Sequence, residues 1–263
     1  MPHAPINWNL IDNADGFAYG ETTDGVAQWR PDIDAHALFS GAAGSGKTAA
    51  TASVVYSALT RGADVAIVNR FRNAEMTFAT PYAVGVADGI ASAAALLSDT
   101  QSEMQQRLAG ADSNGQTGEP SLIVVIDEYF VLFEPQPHEE LTDEHIRARN
   151  AVTDILRKGR AAGVHLLNIA QRPTPSTAAT AAAPDGIFKT ESHRTLFGRG
   201  SAAAELTVLH EVTDGQPLGR GHGHTVSQAT PTVTPFQHWV GTDEQFAYRL
   251  RHRLGTGKAR PAR

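Results

Sequence analysis

The sequence predicts an α/β fold: a mainly parallel sheet flanked by helices, with a small antiparallel lead-in at its start. Three stretches predict it. Leu38-Phe39 runs into Ser40-Gly41-Ala42-Ala43-Gly44-Ser45-Gly46-Lys47-Thr48, which reads as an apolar strand, a glycine turn and a helix start. Val65-Ala66-Ile67-Val68 reads as the next buried strand, completing a strand–helix–strand unit. Leu122-Ile123-Val124-Val125-Ile126 is apolar throughout, as a strand buried on both faces must be, and it ends in Asp127-Glu128.

The bulk numbers bound the answer. A chain of 263 residues with 41% hydrophobic content can bury a real core. A net charge of −6 excludes a general coat of positive charge for nucleic acid, though not a local basic lining. Without cysteine there are neither disulfides nor thiolate metal sites. The eleven histidines show no H-E-x-x-H spacing, so no metal is expected beyond nucleotide-bound magnesium. No apolar run approaches bilayer length and no signal-peptide pattern is read, so the expected location is cytoplasmic, without direct membrane insertion.

In chain order, Ile6-Asn7-Trp8, Phe17-Ala18-Tyr19 and Val26-Ala27-Gln28-Trp29 read as short strands. Asp15-Gly16 and Asp24-Gly25 between them are hairpin signals. The stretch 49–59 reads as a helix closed by Gly62. Asn69-Arg70-Phe71-Arg72 follow the second strand, and the arginines read as solvated loop charges. Residues 82–86 read as an edge strand and 88–108 as a helix; 109–120 is a polar loop. A long helix is expected over 141–162, then a buried strand, Val164 to Ala170, ending in Gln171-Arg172-Pro173. Residues 174–184 form a low-complexity loop. Short strands at 195–197, 225–226 and 232–234, a helix over 202–210, a glycine turn at 218–223 and a last helix over 243–254 complete the chain.

The chemistry follows from residue types and spacing. Gly41, Gly46, Lys47 and Thr48 satisfy G-x-x-x-x-G-K-[ST] in full. Glycines let successive N–H groups of residues Gly41, Ala42, Ala43, Gly44, Ser45, Gly46, Lys47, Thr48 and Ala49 converge on one concavity, and the helix start favours phosphate. Lys47 suits the outer phosphates and the Thr48 hydroxyl suits magnesium. Asp127 would hold magnesium through its water shell; Glu128 would orient and deprotonate water. Gln171, a polar amide at a neighbouring strand end, suits sensing of the γ-phosphate. The expected cofactors are ATP and Mg2+.

At this point the motif set resembles the FtsK/SpoIIIE motor domain, within the FtsK–HerA group of ring-forming ATPases. The resemblance rests on His36 to Thr48, Glu103-Met104-Gln105-Gln106-Arg107, Ile123 to Phe133, Arg157-Lys158-Gly159-Arg160-Ala161-Ala162-Gly163-Val164-His165 with Ala170-Gln171-Arg172-Pro173, and Leu218-Gly219-Arg220-Gly221. It implies a RecA-like P-loop NTPase core over residues 36–263 behind a lead-in over 1–35, treated as one domain overall. It also implies a homo-hexameric ring with ATP at subunit interfaces, where an arginine from the next subunit offsets transition-state charge. Arg160 is the first candidate and Arg157 the second, since they lie about one helical turn apart. Double-stranded DNA is the implied partner, with Lys189 and Arg107 as candidate DNA contacts; a membrane-anchored partner is compatible with it. The sequence departs from many relatives in reading Asn69-Arg70-Phe71 where they have Asp-Pro-Lys, and its 174–184 loop is rich in alanine and threonine. Three function classes therefore stand together: a DNA translocase, a type VII-like protein-secretion ATPase, and an ATP-binding module that does not translocate.

Overall fold

The structure, a computed structural model, describes residues 4–69, 76–113, 117–133, 139–171, 192–198, 200–213 and 221–255. The elements are β1 (Ala4–Pro5), α1 (Trp8–Asn13), β2 (Phe17–Thr22), β3 (Gly25–Trp29), β4 (Ala37–Gly41), α2 (Lys47–Thr60), β5 (Asp64–Asn69), β6 (Gly85–Asp88), α3 (Ile90–Ala109), β7 (Leu122–Ile126) and α4 (Tyr129–Phe133). They continue with α5 (Asp143–Ala162), β8 (Val164–Ala170), β9 (His193–Phe197), α6 (Ala202–Leu209), β10 (His222–Val226), β11 (Thr234–Val240) and α7 (Asp243–Leu254).

All strands join one sheet, in the order β3-β2-β11-β10-β9-β4-β8-β7-β5-β6, with β1 paired to β11. From β9 to β6 every pairing is parallel. From β9 outward through β10, β11, β2 and β3 every pairing is antiparallel. The predicted α/β class with a mainly parallel sheet is the one observed.

The parallel strands are buried on both faces, and their alternating side chains divide between two cores. Ile123 and Val125 of β7 enter one core, while Leu122, Val124 and Ile126 enter the other. The first core also holds Val54, Val55 and Tyr56 of α2 and Phe246 and Leu250 of α7; the second holds Leu97 and Met104 of α3 and Val152 and Ile155 of α5. The helix α2 is buried almost all round because its residues are small. The helices α5 and α7 each begin with a capping box, built by Thr142 with His145 and by Thr242 with Gln245.

Four local expectations differ from the structure. Ile6-Asn7-Trp8 is not a strand: Asn7 caps α1, its Oδ1 accepting from the Leu10 N–H at 3.2 Å. Asp15-Gly16 joins α1 to β2, so only the second pair, Asp24-Gly25, sits at a hairpin, between β2 and β3. The edge strand begins at Gly85 rather than residue 82, because a 3-10 turn over Thr77–Ala79 and its following turn occupy the approach. The last strand runs on through Pro235 to Val240. The N-terminal hairpin is continuous with the C-terminal strands, because β2 pairs with β11. Both ends of the chain thus build one antiparallel wing.

The wing is closed by a buried polar knot. Tyr19 Oη lies 2.9 Å from His193 Nε2 and 3.1 Å from Thr195 Oγ1, and donates to Thr225 Oγ1 at 3.0 Å. Its ring packs edge-on against Phe39 and Phe236. Burial pushes the Tyr19 phenol up to about 12.

Candidate functional site

The carboxyl ends of β4, β8 and β7 come together at one edge of the sheet. Ser40 is level with Ala170, and Ile126 is level with Asn168. The strand β8 lies between the phosphate-loop strand β4 and the acidic strand β7. Two strand spacings of about 4.8 Å put the axes of β4 and β7 about 10 Å apart.

The loop between β4 and α2 curls as its glycines require. Gly44 (φ +70°) and Gly46 (φ +109°) occupy conformations that side-chain-bearing residues seldom adopt. Ala43 and Gly44 form an exposed crest, while Lys47 is 7% exposed. Lys47 Nζ donates to the carbonyl oxygens of Gly41 (2.9 Å) and Ala42 (3.0 Å), so its ammonium lies folded against the loop. Helix α2 starts at Lys47, and its N-cap, Gly46, has no side chain to cap it. A glycine cradle, a lysine held on it by two carbonyls and an uncapped helix start fit a polyphosphate.

Across β8, Asp127 and Glu128 follow β7 directly. The Asp127 N–H donates to Val68 O at 2.9 Å, and the Glu128 N–H donates to Asp127 Oδ1 at 3.1 Å. Glu128 has φ +53°, a left-handed conformation that costs a non-glycine residue roughly 1–2 kcal/mol. Gln171, just past β8, donates through Nε2 to Glu128 Oε1. The sequence places Gln171 at a strand end beside the two acidic residues; the fold adds the hydrogen bond that joins it to Glu128.

The other nominated residues lie elsewhere. Arg157 and Arg160 are exposed on α5, and Arg160 donates to Asp32 O at 3.4 Å. Asp32 precedes β4 and α5 leads into the start of β8, so this helix end sits at the opposite edge of the sheet. Six rises along β8 make about 20 Å, which separates the Arg160 end of α5 from the sheet edge that carries the Gly41–Thr48 loop. Arg107 is not a surface contact. It is 7% exposed, pairs with Glu103 at 2.9 Å, and donates to Pro120 O (2.7 Å) and Ala162 O (3.4 Å). The guanidinium is used in tying α3 to the ends of α5 and β7, which corrects its reading as a DNA contact. Lys189, Arg70, Arg72 and residues 218–220 of the 218–223 turn lie outside the described residues.

Two residues at the loop had no signal in the sequence. A Cβ built on Gly41 would lie 2.6 Å from Phe197 O. One built on Gly46 would run into the ring of His238, 2.6 Å from Cδ2 and closer to Nε2 and Cε1. Both contacts join loop residues to strands about 150 or more positions later, which no local pattern announces.

No family profile and no curated protein matches the chain. Solved structures do. The conjugation coupling protein TcpA of pCW3, in a monomer form with ATPγS, superposes with a TM-score of 0.75 at 21% identity, over 95% of this chain and 75% of that one. The EssC ATPases 2 and 3 of Geobacillus thermodenitrificans give 0.72 at 15% identity, over 99% of this chain and 53% of that one. The cytoplasmic domain of the type VII secretion ATPase EccC of Thermomonospora curvata gives 0.70 at 20% identity, over 93% of this chain and 31% of that one. The chain thus has the fold of these solved ATPases. The chain spans about a third to three quarters of these neighbours' own lengths. Among the described residues, no helix is long and apolar enough to cross a membrane.

Proposed function

We propose that this chain is a magnesium-dependent ATPase whose hydrolysis drives a ring motor acting on double-stranded DNA. The observation that carries the reading is the convergence of the Gly41–Thr48 cradle with Asp127, Glu128 and Gln171 at one sheet edge. The backbone N–H groups of residues 41–49 and the Lys47 ammonium bind the phosphates. Bound phosphate competes with the Gly41 and Ala42 carbonyls for that ammonium. Thr48 and Asp127 hold magnesium, which offsets charge on the phosphates. Glu128 takes a proton from the attacking water, and Gln171 steers its carboxylate. Because Arg160 and Arg157 sit at the far edge, they act on the nucleotide of the next subunit in a homo-hexamer. Phosphate contacts would make the grip on DNA salt-dependent and largely blind to sequence.

A second reading is supported by the fold likeness to EssC and EccC and by the net charge of −6: a secretion ATPase that moves polypeptide. The third class, ATP binding without hydrolysis, is disfavoured by the acidic pair Asp127-Glu128 directly after β7, residue types that suit a magnesium ligand and a base for water. Hydrolysis measured with and without linear duplex DNA separates the three. Stimulation by duplex supports the DNA motor. Hydrolysis indifferent to DNA favours the polypeptide reading, and binding without turnover leaves the passive module.

A further inference from the structure

We propose that His238, in the antiparallel wing, is a positioning residue for the phosphate loop. This rests on the nucleotide-binding reading above but assigns a residue outside every motif that suggested it. His238 is fully buried on β11. The edge of its imidazole occupies the space a Cβ of Gly46 would take. Gly46 is the residue at which α2 begins and precedes Lys47. Behind the ring stands Phe197, with centroids 6.0 Å apart, and Phe197 O in turn crowds Gly41. The two ends of the loop therefore rest on adjoining parts of one platform.

The ring's orientation is itself fixed. Nδ1 lies 3.1 Å from the carbonyl oxygen of Trp239, and the His238 N–H donates to Gly221 O at 2.8 Å. As the carbonyl can only accept, Nδ1 carries the proton in this bond, and the Nε2 edge faces Gly46. Strand β11 pairs on either side with β2 and β10, so the ring cannot shift without disturbing the wing. Glycine is the residue with most backbone freedom, and here it stands at the hinge of a loop that must hold several N–H groups on one target. A rigid ring beneath it removes that freedom before a ligand arrives, which is the way preorganisation raises affinity.

The test compares His238→Gln with His238→Asn. The glutamine amide places an atom near the position of Nε2; the asparagine amide reaches only the position of Nδ1. Three measurements are made: hydrogen exchange of residues 41–48 without nucleotide, binding of a fluorescent ATP analogue with magnesium, and kcat and KM for ATP. Asparagine is expected to speed exchange in the loop and to raise the dissociation constant and KM by about ten- to a hundredfold, with kcat changed much less. Glutamine restores most of the loss. Leu250→Ala, a truncation in the same core on α7, lowers stability and leaves loop exchange and KM near wild type. Equal behaviour of the glutamine and asparagine variants, or a Leu250→Ala effect on KM as large as that of asparagine, overturns the assignment. Failure of the wild-type chain to bind ATP would sink the nucleotide reading instead, and the exchange measurement would still judge the platform.

Discussion

The two halves of the sheet solve different problems. In the parallel half, β4, β8, β7 and β5 are near-continuous apolar runs buried on both faces, interrupted by single polar residues such as His165 and Asn168. The acidic pair Asp127-Glu128 and Gln171 follow the carboxyl ends of β7 and β8. In the antiparallel wing, polar residues are inside: Tyr19 bonds His193, Thr195 and the half-buried Thr225, with its ring edge-on to Phe39 and Phe236. On the function proposed above the parallel half would carry the chemistry, whereas the wing holds the chain's two ends together and places Phe197 and His238 against the loop glycines. A site can thus be written in short motifs while its support is spread over the whole chain.

The largest expected effect lies in the parallel half. Lys47→Ala or Asp127→Ala should lower ATP turnover by at least about 100-fold with the circular dichroism spectrum unchanged. Glu128→Gln should lose about 10²–10⁴ in turnover while ATP binding survives. Retained turnover in any of these would dissolve the distinction between a chemical half and a supporting half.

Next comes the wing core. Trp239 is fully buried and its indole N–H donates to Glu21 Oε1 at 2.9 Å. Trp239→Ala should cost about 3–5 kcal/mol in urea unfolding. The same loss in a variant lacking residues 1–13 is not expected to be additive if both ends share one cooperative unit.

Acid should find both halves. His36, at the start of β4, and His193, at the start of β9, are each lowered from 6.5 to about 3, chiefly by burial. For His36 the neighbouring His165 adds to this, and for His193 it is Arg194. The unfolded chain binds these protons near the ordinary value. Stability therefore is present in full above pH 6.5 and falls as pH drops from there towards 3, by up to about 1.4 kcal/mol per pH unit per histidine. A urea midpoint that does not fall between neutral pH and about pH 5 would mean these rings meet solvent.

The smallest effect is Tyr19→Phe. It removes one hydroxyl and leaves His193, Thr195 and Thr225 short of a partner, for about 1–3 kcal/mol. ATP binding should scarcely change, because the knot sits at the wing's own interior. A large loss of binding would mean that the knot, and not only His238, sets the loop.

Legibility followed the same division. The loop, Asp127-Glu128 and the buried strands were readable because each is a local pattern whose meaning depends on residues within about ten positions. The missed helix at Trp8 had a readable sign in Asn7, a good cap with Trp8 and Ile11 three apart, but aromatic and β-branched residues drew the reading towards strand. The extension of β11 was hidden by Pro235, which a central strand seldom admits. Arg107 looked like a free cation because nothing in the sequence told that Pro120 and Ala162 would offer it their carbonyls.

By itself the sequence determined the α/β class, the glycine turn between β4 and α2, and the acidic end of β7, since apolar runs and glycine spacing act through backbone geometry close at hand. Only the tertiary structure decided that the two chain ends share one wing, that Gln171 donates to Glu128, that Arg160 meets Asp32 O, and that His238 lies against Gly46. Those outcomes depend on which strands become neighbours. That choice is made by the burial of whole faces, not by any segment alone.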